Sequence, residues 1–142
     1  MLKGVPKLIS PEFLKVLSEM GHGDRIVLAD GNFPCESIGK NSIVIRCDGH
    51  GVEEILDAVL TVFPFDQMAD KSAWLMLPPE EGANEPPIWS EYRKIIEKHE
   101  DVNKLDVISK PEFIEAAKNA YCIVASSESA LYANIMLQKG CV

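Results

Sequence analysis

Positive charge is scarce in this sequence: 14 Lys and Arg stand against 22 Asp and Glu, a formal charge of −8 over 142 residues. Phosphate recognition needs Lys and Arg gathered on one face, and no basic run offsets the deficit, which argues against a nucleic-acid partner. No apolar stretch approaches the roughly 20 residues of a membrane span. The opening Met1-Leu2-Lys3-Gly4-Val5-Pro6 lacks the apolar core of a secretory signal. No membrane partner and a cytoplasmic location are the expectations. The four cysteines, Cys35, Cys47, Cys122 and Cys141, contain no C-x-x-C pair. They are expected to be reduced and to serve as small core side chains, with Cys47 and Cys122 in apolar runs, rather than as metal ligands or disulfides. A phosphate loop, G-x-G-x-x-G, H-E-x-x-H and G-x-S-x-G are all missing, so no cofactor and no metal are expected.

What remains is an ordinary globular balance, 46% hydrophobic and 25% charged, in a chain long enough for one domain with its own core. Ser10-Pro11-Glu12 opens a helix whose apolar positions are Phe13, Leu14, Val16, Leu17 and Met20, and Gly21 is expected to stop it. Further helices are predicted over Val52–Phe63, from Ile88 to His99 and from Ser109 to about Ala120. Short apolar strands are predicted at Arg25–Ala29, Ser42–Cys47, Ala73–Leu77, Leu105–Ile108, Tyr121–Ala125 and Asn134–Leu137, with Gly31 to Asn41 a loop. Helices that alternate with short strands predict a single three-layer α/β/α domain over residues 1–142, with a mixed sheet of short strands. Strand order cannot be read from the pattern.

The stretch from Met20 to Pro34 organises the chain. It places His22 between two glycines before an apolar strand and Asp30 at the strand's polar end, where ligands of α/β sheets usually bind. Histidine exchanges a proton near neutral pH more readily than any other side chain. Asp30 can bind a hydroxyl group, orient the histidine or act as a base, or it can simply cap a loop. An extended strand between them spans roughly 20 Å at about 3.3 Å per residue. His22 and Asp30 therefore share one small site only if the strand is kinked or the site is assembled between subunits. If their segment is extended, Tyr132 and Asn134 lie on one side of it and offer a hydroxyl and an amide, suited to a polyol; the alternative is a core tyrosine with an asparagine in a turn. Asp66 is a surface residue or a sugar contact. Asp48 with His50 resembles an acid–base pair, but Asp-Gly-His is more often a turn. His99 and the Glu80-Glu81 loop are expected to be solvated.

The run Pro11-Glu12-Phe13-Leu14 through Met20-Gly21-His22-Gly23-Asp24, followed by Ile26-Val27-Leu28-Ala29-Asp30 and Asn32-Phe33-Pro34, resembles the fucose mutarotase branch of the family shared with ribose pyranase. The likeness continues through Ile45–Gly49, Phe65-Asp66, Pro87–Tyr92, Tyr132-Ala133-Asn134 and Lys139-Gly140, and so covers nearly the whole chain. The resemblance implies a cofactor-independent isomerase that interconverts the α and β anomers of L-fucose. It implies that His22 is the proton donor, that Asp30 contacts the sugar, and that Tyr132, the Ala133 backbone and Asn134 line the same site. Asp66 and Met76 match sugar-contacting positions of the fucose branch. Lys110 stands where bacterial fucose enzymes carry an arginine, and Ile114 where a tyrosine is common. Relatives form homo-oligomeric rings, several of them decamers, with sites near subunit contacts. Two alternatives to the fucose reaction are ribose pyranase activity and a non-catalytic sugar-binding partner of a transport system.

Overall fold

Ser10 caps the first helix as its position predicts, accepting the N–H of Phe13 at 3.1 Å in a computed structural model that describes residues 1–142. This helix, α1 (Pro11–Glu19), buries Phe13, Val16 and Leu17, and the chain leaves it at Met20, one residue before the glycine expected to end it. The remaining elements follow in order as β1 (Arg25–Ala29), α2 (Cys35–Ile38), β2 (Ile43–Cys47), α3 (Val52–Leu60), β3 (Ala73–Met76) and α4 (Ile88–Glu97). After a short 3₁₀ turn come β4 (Leu105–Ile108), α5 (Lys110–Lys118), β5 (Cys122–Ser126) and β6 (Ile135–Gln138). The helix α2 lies inside the segment predicted as a loop. It is a single turn after Pro34, too short to carry a period. The helices α3 and α4 end slightly earlier than predicted, and β6 starts after Asn134 rather than at it.

The six strands form one sheet in the order β2-β5-β1-β6-β3-β4. All neighbours run parallel except β6, which lies antiparallel between β1 and β3. Successive side chains point to opposite faces. Ile26 and Leu28 of β1 join the apolar layer beneath α1, α3 and α4. Val27 and Ala29 join the layer shared with Cys35 of α2 and Phe113 of α5. Helices thus cover both faces of a mixed sheet, which is the expected three-layer arrangement. Cys35, Cys47 and Cys122 are buried as free thiols, whereas Cys141 is exposed and departs from the core role assigned to all four.

This topology determines where polar residues collect. Five parallel strands end at one edge of the sheet, and β6 begins there. Asp30, Lys110 and the segment Tyr132–Asn134 therefore share that carboxyl edge with Met76, the last residue of β3. His22, Arg25 and Gln138 occupy the opposite, amino edge.

Candidate active site in two halves

At the amino edge, the end of β6 is zipped to its neighbours on both sides. The N–H of Gly23 donates to the carbonyl of Lys139 at 2.8 Å, and the Lys139 N–H donates to Asp24 O at 2.9 Å. On the other flank Asp66 N–H donates to Gln138 O and Gly140 N–H to Pro64 O. A Cβ on Gly140 would lie 2.2 Å from the carbonyl oxygen of Phe65, so only glycine lets the two segments meet this closely. Gly23 adopts a φ of 88°, so this glycine beside His22 does use its conformational freedom. Gly21 instead donates its N–H to the Asp24 carboxylate. Together these contacts bring the His22 turn against Asp66, a pairing that no sequence spacing announces.

His22 Nε2 lies 3.0 Å from Asp66 Oδ1, with the imidazole 42% exposed and the carboxylate only 6% exposed. The side-chain amide of Gln138 is the largest cause holding the Asp66 carboxyl down to about 2, followed by the N–H of Met68, the His22 ring and the N–H of Ala69. These donors outweigh burial, which acts the other way. Because that value lies below the ordinary 3.8, Asp66 stabilises the fold fully above about pH 4 and loses that contribution as pH falls towards 2. Melting temperatures of the native and Asp66→Asn chains are accordingly expected to differ near pH 6 and to converge by about pH 2.

At the carboxyl edge, Asp30 is 7% exposed and Asn134 2% exposed. Asp30 N–H donates to Asn134 Oδ1 at 2.7 Å, and Asn134 Nδ2 donates to Asp30 Oδ2 at 3.0 Å. The other carboxylate oxygen, Oδ1, accepts the N–H of Asn32. The amide of Asn134 is thus turned onto Asp30 and fixes that carboxylate. Tyr132 has a φ of 54°, a left-handed conformation that a bulky residue adopts only when its surroundings impose it. Those surroundings are two hydrogen bonds from α4: Trp89 Nε1 donates to Tyr132 O at 2.8 Å, and Tyr92 Oη donates to Ala133 O at 2.7 Å. Burial pushes the Tyr92 phenol well up, which keeps it protonated as that donor. Tyr132 and Asn134 are therefore not neighbours on an extended strand, as the sequence suggested. Each is set by its own contacts ahead of β6.

Tyr132 opens onto a cleft of about 850 Å³ walled by Pro78, Pro87, Ile88, Glu128 and Leu131. Lys110 and Ile114 line a neighbouring cleft with Leu77 and Pro78. Met76 and Phe33 are buried in the apolar layer against which Tyr132 packs. Trp89 is buried too, its ring nitrogen spent on the Tyr132 carbonyl. His22 lines a separate recess of about 440 Å³ with Met20, Val62, Pro64 and Cys141. The residues implied by the resemblance thus fall into two groups. His22 and Asp66 stand at one edge, and Asp30, Met76, Lys110, Tyr132, Ala133 and Asn134 at the other. The strand between them is unkinked, so of the two geometries open to His22 and Asp30 a kink is ruled out.

Asp48 is paired with Arg46 at 2.8 Å and His50 with Glu54 at 3.0 Å, both on the surface, in keeping with a turn. His99, expected to be solvated, is only 22% exposed and contacts Asp57 at 2.7 Å. Sequence reasoning missed Gln138 and Arg25, the polar residues behind Asp66. The one available signal was a charged or amide side chain at the end of an otherwise apolar strand. Sequence reasoning also did not assign Trp89 and Tyr92 their part in shaping Tyr132.

The sequence profile of the RbsD / FucU transport protein family matches residues 3–142. The chain is 46% identical over 143 residues to the fucose mutarotase of Homo sapiens, covering 98% of this chain and 93% of that one. Its fold is similar to the crystal structure of FucU from Bifidobacterium longum, with a TM-score of 0.94, 56% identity and 99% of both chains covered. It is similar to the fucose mutarotase of Streptococcus pneumoniae, solved in complex with L-fucose, at a TM-score of 0.93 and 46% identity, again over 99% of both chains. The chain belongs to the RbsD / FucU transport protein family.

Proposed function

We propose that this chain is an isomerase that interconverts the α and β anomers of L-fucose by opening and reclosing the sugar ring. The observation that carries the reading is the half-exposed imidazole of His22 held at 3.0 Å by a buried carboxylate. Such an arrangement suits a group that must hand over a proton and recover it. The names and ligand of the full-length relatives support the same substrate.

Ring opening breaks the bond between the anomeric carbon and the ring oxygen. The ring oxygen takes a proton, and the anomeric hydroxyl loses one as its electron pair forms the carbonyl. Rotation about the adjacent carbon–carbon bond and closure on the other face gives the second anomer. His22 is the donor to the ring oxygen, and Asp30, Tyr132 or a water is available to take the second proton. Asp30, fixed by Asn134, offers a carboxylate for the hydroxyls. Lys110 and Met76 lie on the same edge for the rest of the ring.

Two half-sites on opposite edges of one sheet become a single site when the amino edge of one copy meets the carboxyl edge of the next. Exposed apolar residues flank both ends: Val62 and Val142 beside His22, and Leu77 and Leu131 beside the Tyr132 and Lys110 clefts. A head-to-tail contact of this kind gives a ring when its rotation closes and an open filament when it does not. The resemblance implies the closed form, a homo-oligomeric ring, a decamer in several relatives. No helix is long and apolar enough to cross a membrane, and the reading places the enzyme in the cytoplasm.

Saturation-transfer NMR on L-fucose at anomeric equilibrium is the test. The protein is expected to speed exchange between the two anomeric signals well beyond buffer, and D-ribose forms less. Binding without exchange would leave a sugar-binding protein instead.

A further inference from the structure

Behind Asp66 the hydrogen-bond donors all point one way. Arg25 carries only donors, so its role is unambiguous. Its Nε donates to Gln138 Oε1 at 2.9 Å, while its guanidinium rests 4.3 Å from the centre of the Trp74 ring. With Oε1 turned to Arg25, the amide nitrogen of Gln138 must face the other way. There it donates to Asp66 Oδ2 at 2.8 Å. The second oxygen, Oδ1, accepts the N–H of Met68 at 3.0 Å and sits 3.4 Å from the N–H of Ala69. This same Oδ1 lies 3.0 Å from His22 Nε2. A carboxylate surrounded by donors has no hydrogen to offer the imidazole, so the ring nitrogen facing it must carry one.

We propose that Gln138 and Arg25 are positioning residues that act through Asp66 to hold neutral His22 with its hydrogen on Nε2, leaving bare Nδ1 as the reacting atom. The inference rests on the reading of His22 as the group that moves protons. It also removes the need for a separate base. The anomeric and ring oxygens are bonded to the same carbon, so one nitrogen can serve both. Nδ1 takes the anomeric hydroxyl proton, and that oxygen's bonding pair becomes the carbonyl. The pair of the breaking carbon–oxygen bond stays on the ring oxygen. The imidazolium, steadied by Asp66, then returns the same proton to the ring oxygen, so atoms and charge balance.

The test is ¹⁵N NMR of histidine-labelled protein together with exchange kinetics at varied L-fucose concentration. In the native chain the neutral His22 ring is expected to show its hydrogen on Nε2. Gln138→Leu removes the donor to Asp66 and is expected to give a mixture of the two ring forms. Its kcat for exchange is expected to fall about tenfold, with KM changed less than twofold. Should that variant fail to fold, Arg25→Met keeps the packing against Trp74, frees the Gln138 amide to turn and is expected to lose the same preference. A native ring with its hydrogen on Nδ1, or an unchanged ring form and kcat in the folded variant, would overturn the proposal. A native Nε2–H ring in a protein that exchanges no aldose would instead overturn the functional reading and leave the positioning intact.

Discussion

Replacing His22 with glutamine is expected to slow α-to-β exchange of L-fucose by a hundredfold or more, since a positioned acid–base side chain contributes about 10²–10⁴ in rate. Glutamine is close to histidine in reach and can still offer an N–H to Asp66. It cannot gain and lose a proton near neutral pH. The fold has little to lose, because His22 lies in the turn between α1 and β1 with 42% of its side chain exposed. Because glutamine keeps an N–H donor for the buried Asp66 carboxylate, the melting temperature is expected to move by only a few degrees. Exchange NMR and a thermal melt on the same sample separate the two effects. A variant that melts like the native chain and exchanges fucose within twofold of it would remove His22 from the chemistry.

How far the sequence reached follows from the range of each interaction. The cap at Ser10, the apolar stripe of α1 and the buried run of β1 are local patterns, and they stand as predicted. The helix α2 escaped because one turn has no period, and β6 began late because Tyr132 is forced into a left-handed conformation by hydrogen bonds from α4. No local pattern carries that constraint. Asp30 could be singled out at the polar end of an apolar strand, and Tyr132 and Asn134 as a hydroxyl and an amide two residues apart, but the Asn134–Asp30 and Trp89–Tyr132 contacts that fix them act across elements. Asp66 is the sharpest case. Its sequence neighbours mark it only as a carboxylate after a helix. Its place against His22 comes from the antiparallel bridge between Phe65 and Lys139, which exists because β6 inserts between β1 and β3. Strand order is set by the packing of all the elements together, so neither the His22–Asp66 pair nor the chain behind it is legible without the fold.

The separation of the two half-sites leads to the second large effect, which appears only when two defective chains are mixed. His22→Gln keeps an intact carboxyl edge, and Asp30→Asn keeps an intact amino edge. The second change loses a charge-assisted contact to the sugar, and about 1.5–3 kcal/mol for such a bond corresponds to a tenfold to hundredfold drop. Each variant alone therefore keeps at most about a tenth of the native rate. If every site joins the amino edge of one copy to the carboxyl edge of the next, random co-assembly in equal amounts gives about a quarter of the contacts two native halves. Co-expressed or co-refolded chains are then expected to recover about a quarter of the native exchange rate, at least about twice that of the better variant and well above the mean of the two. A site built within one chain has no such route, since every chain in the mixture carries one defect, and the mixture would show only the mean of its two parents. The physical basis is the straight five-residue run of β1, roughly 16 Å long at about 3.3 Å per residue, which holds His22 and Asp30 too far apart within one chain to grip the same monosaccharide. A mixture no faster than its parents, in a sample shown by mass spectrometry to contain mixed assemblies, would return both halves to a single chain and require β1 to bend.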